Sequence, residues 1–188
     1  MSKTLYFAVF LSATAMIVTA IAYAGYTWAE PIIAQNRINT IEENIGVFFS
    51  EEDGYSRNDD QLENSYLEKN YKAISEIYEV LDGDGEIYVL IYNVTVQGRN
   101  GMIDALVAVD PYIDKVVAVS YYSHTETPNI GEIYTRDEEI IKLIGQSILD
   151  ITIDDLVGAS AGTTKAAIIT MFDEILNHYN AEEVHIDG

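Results

Sequence analysis

Glu86-Ile87-Tyr88-Val89-Leu90-Ile91-Tyr92-Asn93-Val94-Thr95-Val96 is the stretch from which the fold can be read. β-Branched and aromatic residues fill it, and no proline interrupts it. Its two alternating sets are Tyr88, Leu90, Tyr92, Val94 and Val96 against Val89, Ile91 and Asn93, and both are largely apolar. A strand apolar on both faces is covered on both faces, so helices must supply the cover. Outward from it, Gly98-Arg99-Asn100-Gly101 turns into a second β-rich run, Met102 to Asp110. Asp110-Pro111-Tyr112-Ile113-Asp114 then turns into a third, Lys115 to Ser123. An antiparallel meander is the economical topology. On the other side, Asp82-Gly83-Asp84-Gly85 supplies turn chemistry, with too few acids for a calcium loop. Before it, Ile74, Ile77, Tyr78, Val80 and Leu81 suit either a short helix or a strand.

Two helical patterns are available as cover. Asp137-Glu138-Glu139 places acids in a first turn, followed by Ile140, Ile141, Leu143, Ile144, Ile148 and Leu149 as a buried stripe. Thr164 to Tyr179 repeats the pattern through Ala167, Ile168, Met171, Phe172, Ile175 and Leu176. Ser50 to Asn70 is polar enough to read as a solvated excursion without chemistry, and Ala181 to Gly188 as a tail. The expected class is α+β, with one domain over residues 71–188 preceded by residues 30–70, a juxtamembrane helix and an acidic loop.

The N-terminal side carries a different signal. No charged residue lies between Thr4 and Ala29, and a helix of that length at about 1.5 Å per residue exceeds a hydrocarbon core of about 30 Å. Residues 5–29 are therefore expected to form a transmembrane helix. Lys3 lies on the short side and Glu30, Glu42 and Glu43 on the long side, which places residues 1–4 in the cytoplasm and the domain outside. Tyr23, Tyr26 and Trp28 form an interfacial belt, and Pro31 suits the start of a new segment, whose Ile32, Ile33, Ile38, Ile41, Ile45, Phe48 and Phe49 recur at near-helical spacing. Ala22-Tyr23-Ala24 resembles a signal-peptide cleavage site, but the apolar run is longer than the usual core of a signal peptide. The net charge of −21, with ten Lys and Arg, argues against nucleic acid and against an anionic lipid surface as partners. No cysteine is present, which excludes disulfides, thiolate metal sites and cysteine nucleophiles.

Two loops carry the chemistry. Asp154-Asp155-Leu156-Val157-Gly158-Ala159-Ser160-Ala161-Gly162-Thr163-Thr164-Lys165 is a run of small and hydroxyl residues opening into a helix. Unpaired N–H groups and the positive dipole end let a phosphate approach such a helix start, although an ordinary capped helix has the same appearance. Its spacing is not that of a nucleotide P-loop. Ser123-His124-Thr125-Glu126-Thr127-Pro128-Asn129-Ile130-Gly131 is dense in hydrogen-bonding groups and longer than a hairpin needs, or else simply a Pro-containing turn. With only His178 and His185 besides His124, no histidine metal site is expected.

The order strand, G-x-x-G turn, strand, His124-x-Glu126-Thr127-Pro128-x-x-Gly131, helix, Asp154-x-x-x-Gly158-Ala159-Ser160, final helix resembles the covalent-FMN domain of the RnfG and NqrC family. The resemblance covers nearly the whole chain. It includes the single N-terminal span and Ala29-Glu30-Pro31-Ile32-Ile33-Ala34-Gln35-Asn36, which is most like RnfG. It implies an FMN whose phosphate is esterified to a hydroxyl by an extracytoplasmic flavin transferase. It also implies a redox subunit, not catalytic alone, working with the other membrane subunits of an ion-translocating complex.

The resemblance assigns cofactor binding to Gly158, Ala159, Ser160, Gly162, Thr163, Thr164 and Lys165 and to His124, Glu126, Thr127 and Pro128. Glu126, Thr127 and Pro128 would lie against the flavin ring, and His124 would orient their loop. Ser160 is the preferred attachment residue counted from Asp154, whereas an alternative register makes it Thr163. Val157 replaces the usual Ser or Thr, and Asn129 the Gly that commonly follows the Pro. An NqrC-type subunit of a Na+-translocating NADH:quinone oxidoreductase, a noncatalytic membrane-anchored binding domain, and reversible capture of a phosphorylated ligand stand as alternatives.

Overall fold

A computed structural model describes residues 3–50, 53–58, 67, 70–153 and 161–181. The chain divides into two units, Met1–Glu42 and Glu43–Gly188. One helix, α1 (Lys3–Phe48), runs through the first and ends in the second.

α1 is long and apolar enough to cross a membrane, and none of its most apolar 18-residue window is buried in protein. Phe10, Ile17 and Trp28 are all exposed, apolar surface that water would not tolerate on this scale. Three of the hydroxyls in this stretch bond to backbone carbonyls within the helix. Ser12 Oγ donates to Ala8 O at 2.9 Å, Thr14 Oγ1 to Phe10 O at 2.5 Å, and Thr27 Oγ1 to Tyr23 O and Ala24 O at 3.1 Å each. Pro31 does not begin a new segment as its position suggested: it lies inside α1. It removes one N–H from the ladder, and helix-forming residues on both sides carry the helix past it.

The second unit is built on a five-stranded antiparallel sheet in sequence order: β1 (Ser56–Asn58), β2 (Ile74–Leu81), β3 (Ile87–Gln97), β4 (Met102–Asp110) and β5 (Lys115–His124). The three expected β runs are β3 to β5, and the ambiguous apolar run before them is β2, whose residues pair with β3 from Ile74↔Val94 to Leu81↔Ile87. β1 falls within the stretch read as a solvated excursion, most of which, with the tail after Ala181, lies outside the described residues.

β3 is buried on both faces, with Leu90, Tyr92 and Val94 on one side and Val89, Ile91 and Asn93 on the other. The first face meets α3 (Gly162–Ala181), whose Ala167, Ile168, Met171, Phe172 and Ile175 join the main core. The last turn of α1 supports the second face, where Ser120 Oγ donates to Asn44 Oδ1 at 2.6 Å. Tyr88 departs from the alternation. Val80 pairs with Val89 but Leu81 with Ile87, so Tyr88 is the extra residue of a bulge. It stacks on Tyr55 at 4.9 Å and meets Phe49 edge-on at 6.1 Å.

The acidic helix is shorter than its periodicity implied. α2 (Asp137–Leu143) stops before Gly145, whose φ of +85 is left-handed backbone that glycine adopts without strain. The chain then pairs with β5: Gly145 N donates to Val116 O at 2.8 Å and Val116 N to Gln146 O at 3.0 Å. Of the expected stripe only Leu143 and Ile148 are fully buried, while Ile141, Ile144 and Leu149 are exposed. The end of the last helix also differs from its pattern. His178 and Tyr179 are buried beside Ile175, with the His178 ring edge-on to Tyr71 and Tyr92 at 5.0 and 5.5 Å.

Candidate functional site

The loop after β5 is organised by one carboxylate. Glu126 is 5% exposed. Its Oε2 accepts from Thr164 Oγ1 in the first turn of α3 at 2.6 Å, and its Oε1 accepts from Asn100 N in the turn between β3 and β4 at 3.2 Å. Burial of an ionisable group is tolerable only when its lone pairs are met this way. The two motif loops, 38 residues apart at this contact, thereby meet.

Glycines make the approach possible. A Cβ on Gly98 would collide with Glu126 Oε1 and stand 2.8 Å from Ile103 Cδ1. On Gly131 it would collide with Glu126 Oε2 and stand 2.6 Å from Thr164 Oγ1. The G-x-x-G turn also holds the loop by direct bonds, Asn100 Nδ2 to Thr127 Oγ1 at 2.5 Å and Thr125 Oγ1 to Asn100 O at 3.1 Å. Asn129, where a glycine is usual, has φ 58, and asparagine is among the residues that tolerate this region best. Its Oδ1 accepts from the Arg136 guanidinium at 2.7 Å.

The remaining loop residues occupy distinct positions. Thr127 is half-buried and Pro128 exposed. His124 Nε2 lies 3.1 Å from Thr135 Oγ1, which itself donates to Glu132 O at 2.8 Å. The hydroxyl proton is thus committed, and His124 is the donor through Nε2–H. Its Nδ1 is buried without a partner among the described residues. On the helix side, Gly162 and Thr163 are exposed, Lys165 is half-buried and Thr164 is fully buried. Ser160, Gly158 and Ala159, with Asp154, lie outside the described residues.

A cleft adjoins this cluster. It is shallow, with about 20 Å³ of usable space, room for about one water molecule, and lies between the end of β5, α2 and the start of α3. Leu143, Ile153 and Ile168 give it apolar walls, and Tyr121 and Tyr134 line it too. The Gln146 side chain holds the Ile153 wall in place, accepting from Thr152 N at 2.8 Å and donating to Thr152 O at 3.1 Å. A bulge in β5 sets Tyr121: Ala105 pairs with Tyr121 but Asp104 with Ser123, so Tyr122 is the extra residue. Tyr122 donates to Asn93 Oδ1 at 2.9 Å, whereas the Tyr121 hydroxyl is buried and has no hydrogen-bond partner among the described residues. Desolvation raises its pKa, so it stays a protonated phenol and a donor. Sequence reasoning missed Tyr121, because nothing distinguishes it from any other strand aromatic. It also missed the part that Asn100 plays within the G-x-x-G turn.

Four cations lie on the elements that frame this site, two of them paired, Arg136 with Glu132 and Lys142 with Glu139. Arg99 sits in the turn, Arg136 follows the loop, Lys142 lines the cleft and Lys165 opens α3.

No protein-family model matches the chain, and comparison with curated proteins yields no match.

Proposed function

We propose that this domain carries FMN, joined through its phosphate to a hydroxyl of the loop at the start of α3. In this reading it serves as the flavin subunit of a membrane-bound, ion-translocating complex of Rnf type. The observation that carries the reading is the Thr164 to Glu126 hydrogen bond, which ties the Glu126 motif to the helix start that follows the second motif. Glu126 is spent on internal hydrogen bonds, so its part is to fix the two loops against each other. Thr164, committed to Glu126, is a positioning residue, and attachment falls to Ser160 or, in the alternative register, to the exposed Thr163.

The residues of the helix start suit such a group: Thr163 is accessible, and Lys165 and Arg99 carry charge opposite to a phosphodiester. Bound flavin supplies one- and two-electron transfer, while the chain supplies orientation, exclusion of water and hydrogen bonds. Covalent retention also suits the chain's charge. At −21 the protein repels a free dianionic phosphate, and a reversibly held cofactor would be lost to a dilute exterior by mass action. The partners are the other membrane subunits and a flavin transferase, with the N-terminus cytoplasmic and the domain outside.

Intact mass of protein co-expressed with its transferase tests the reading. The expected mass exceeds the sequence mass by one FMN less water. Ser160→Ala should abolish the excess and Thr163→Ala should leave it, and the opposite pattern moves the attachment to Thr163. Sequence mass in protein from its native membrane, without flavin, would leave an anchored binding domain. The Glu126 contact alone would then account for the polar residues of both loops.

A further inference from the structure

We propose that Asn100 is a conditional modification site: it loses its side-chain amide through a cyclic imide when the loop after β5 lifts, and is kept intact while that loop is docked. Asn100-Gly101 is the only Asn-Gly pair in the chain. Glycine has no side chain to shield its backbone nitrogen, and the Gly101 N–H makes no hydrogen bond among the described residues. Asn100 is exposed, so water reaches it and ammonia can leave. The Gly101 nitrogen attacks Asn100 Cγ: the N–Cγ bond forms, the Cγ–Nδ2 bond breaks, and ammonia departs with the Gly101 proton. Water then opens the ring at either carbonyl. The product is aspartate, or the isomer whose chain runs through the side-chain carbonyl.

Three consecutive residues of the loop restrain this reaction, each bonded to a different group of Asn100. Thr127 Oγ1 accepts from Nδ2 at 2.5 Å, Glu126 Oε1 accepts from the backbone N at 3.2 Å, and Thr125 Oγ1 donates to the backbone O at 3.1 Å. The Thr125 hydroxyl also lies against Gly101, where a Cβ would collide with it. Ring closure swings the carboxamide onto the Gly101 nitrogen and turns the backbone beside it, so the docked loop holds the groups that have to move. The reaction therefore runs through the fraction of molecules in which the loop has lifted. Its product does not restore the tie. The aspartate formed has no amide to donate to Thr127, and it sets a second carboxylate beside Glu126; the isomer adds a methylene to the turn. A transient undocking of the loop is thereby made permanent. This holds whatever the start of α3 carries, because it concerns only the contact between the turn and the loop.

The test holds the full chain in detergent, in mildly alkaline buffer, beside a synthetic peptide of residues 95–106. Conversion at Asn100 is followed by proteolysis and peptide mass, which reads the side-chain NH2 replaced by OH, and by chromatographic separation of the two products. The folded parent should convert more than about tenfold slower than the peptide, as three hydrogen bonds together imply, and Thr127→Ala should convert about fivefold faster than the parent, as loss of one of them implies. Thr127→Ser keeps the acceptor and should stay at the parent rate. In urea the parent should convert as the peptide does. A folded parent that converts at the peptide's rate, or equal rates in parent and Thr127→Ala while the peptide converts, overturns the proposal. Should Thr127→Ala prove unfolded by circular dichroism, Thr125→Ala, which frees only the backbone carbonyl, takes its place: a faster rate supports the restraint and an unchanged one overturns it. Asn100→Asp, which installs one product directly, should lower the melting point of the full chain. An unchanged melting point would overturn the claim that the modification loosens the tie.

Discussion

Glu126 and Tyr121 stand on either side of His124, and both bury a polar group, but their surroundings are opposites. The carboxylate has Thr164 and Asn100 as donors and glycines on two sides cut back to make room for it. The phenol is buried with no hydrogen-bond partner among the described residues. A polar residue that makes a motif recognisable can be consumed in holding the fold, while an unremarkable strand tyrosine next to it is left with unspent hydrogen-bonding capacity. Satisfaction of a buried group, more than its chemical type, marks where a structural tie is made.

The comparison breaks first at Glu126. Glu126→Ala leaves the Thr164 hydroxyl buried without its acceptor and the Asn100 N–H without its own, and opens a cavity. A loss of about 3 kcal/mol is expected, measured by chemical denaturation of the full chain in detergent. A loss near zero would mean that water replaces the carboxylate and that the two loops are not tied by it. Gly131→Ala probes the same tie from the other side. Gly131 has φ −72, which any residue adopts, so the cost is steric alone. About 2 kcal/mol is expected from forcing a methyl group against Glu126 and Thr164. Thr164→Ser in the same chain should restore none of it, because the clash is with the oxygen that serine keeps.

How far the sequence carries the reader follows from what each residue does locally. β3, β4 and β5 were legible because turn residues bracket β-branched runs, and these are local signals. β2 was ambiguous since Ile74, Ile77, Tyr78 and Leu81 fit both periods, and pairing with β3 resolved it. Tyr88 changed faces through a bulge whose cause is the register of another strand, which no alternation pattern contains. Gly145, which ends α2, was missed, because the apolar residues on both sides of it continue the helical stripe across it. At the site, the motifs marked the two loops but not their contact, since Glu126 and Thr164 meet only in three dimensions. Tyr121 carried no signal at all, because an orphaned hydroxyl is defined by what surrounds it.

The smallest expected effect concerns the outer edge of the same loop, where Glu132 bridges Asn129 and Arg136. Its Oε2 accepts from Asn129 N at 3.1 Å and lies 3.3 Å from the Arg136 guanidinium. The Asn129 N–H, and then Arg136, hold the Glu132 carboxyl below the usual carboxylate range. A folded-state value below the unfolded one means that the ionised form is what stabilises. The contribution is complete above the ordinary carboxylate range and is lost as pH falls through the depressed value. Glu132→Gln should therefore melt slightly below the parent at neutral pH, and the gap should close in strong acid, where the parent carboxyl is itself protonated. Exposure and salt keep this effect small, so added salt should narrow the gap at neutral pH as well. A gap that persisted unchanged from neutral to acid pH would show that the side chain acts by packing rather than by charge. The left-handed turn at Asn129 would then depend on the asparagine and its bond from Arg136, and the edge of the loop would be no more electrostatic than the tie at Glu126 is apolar.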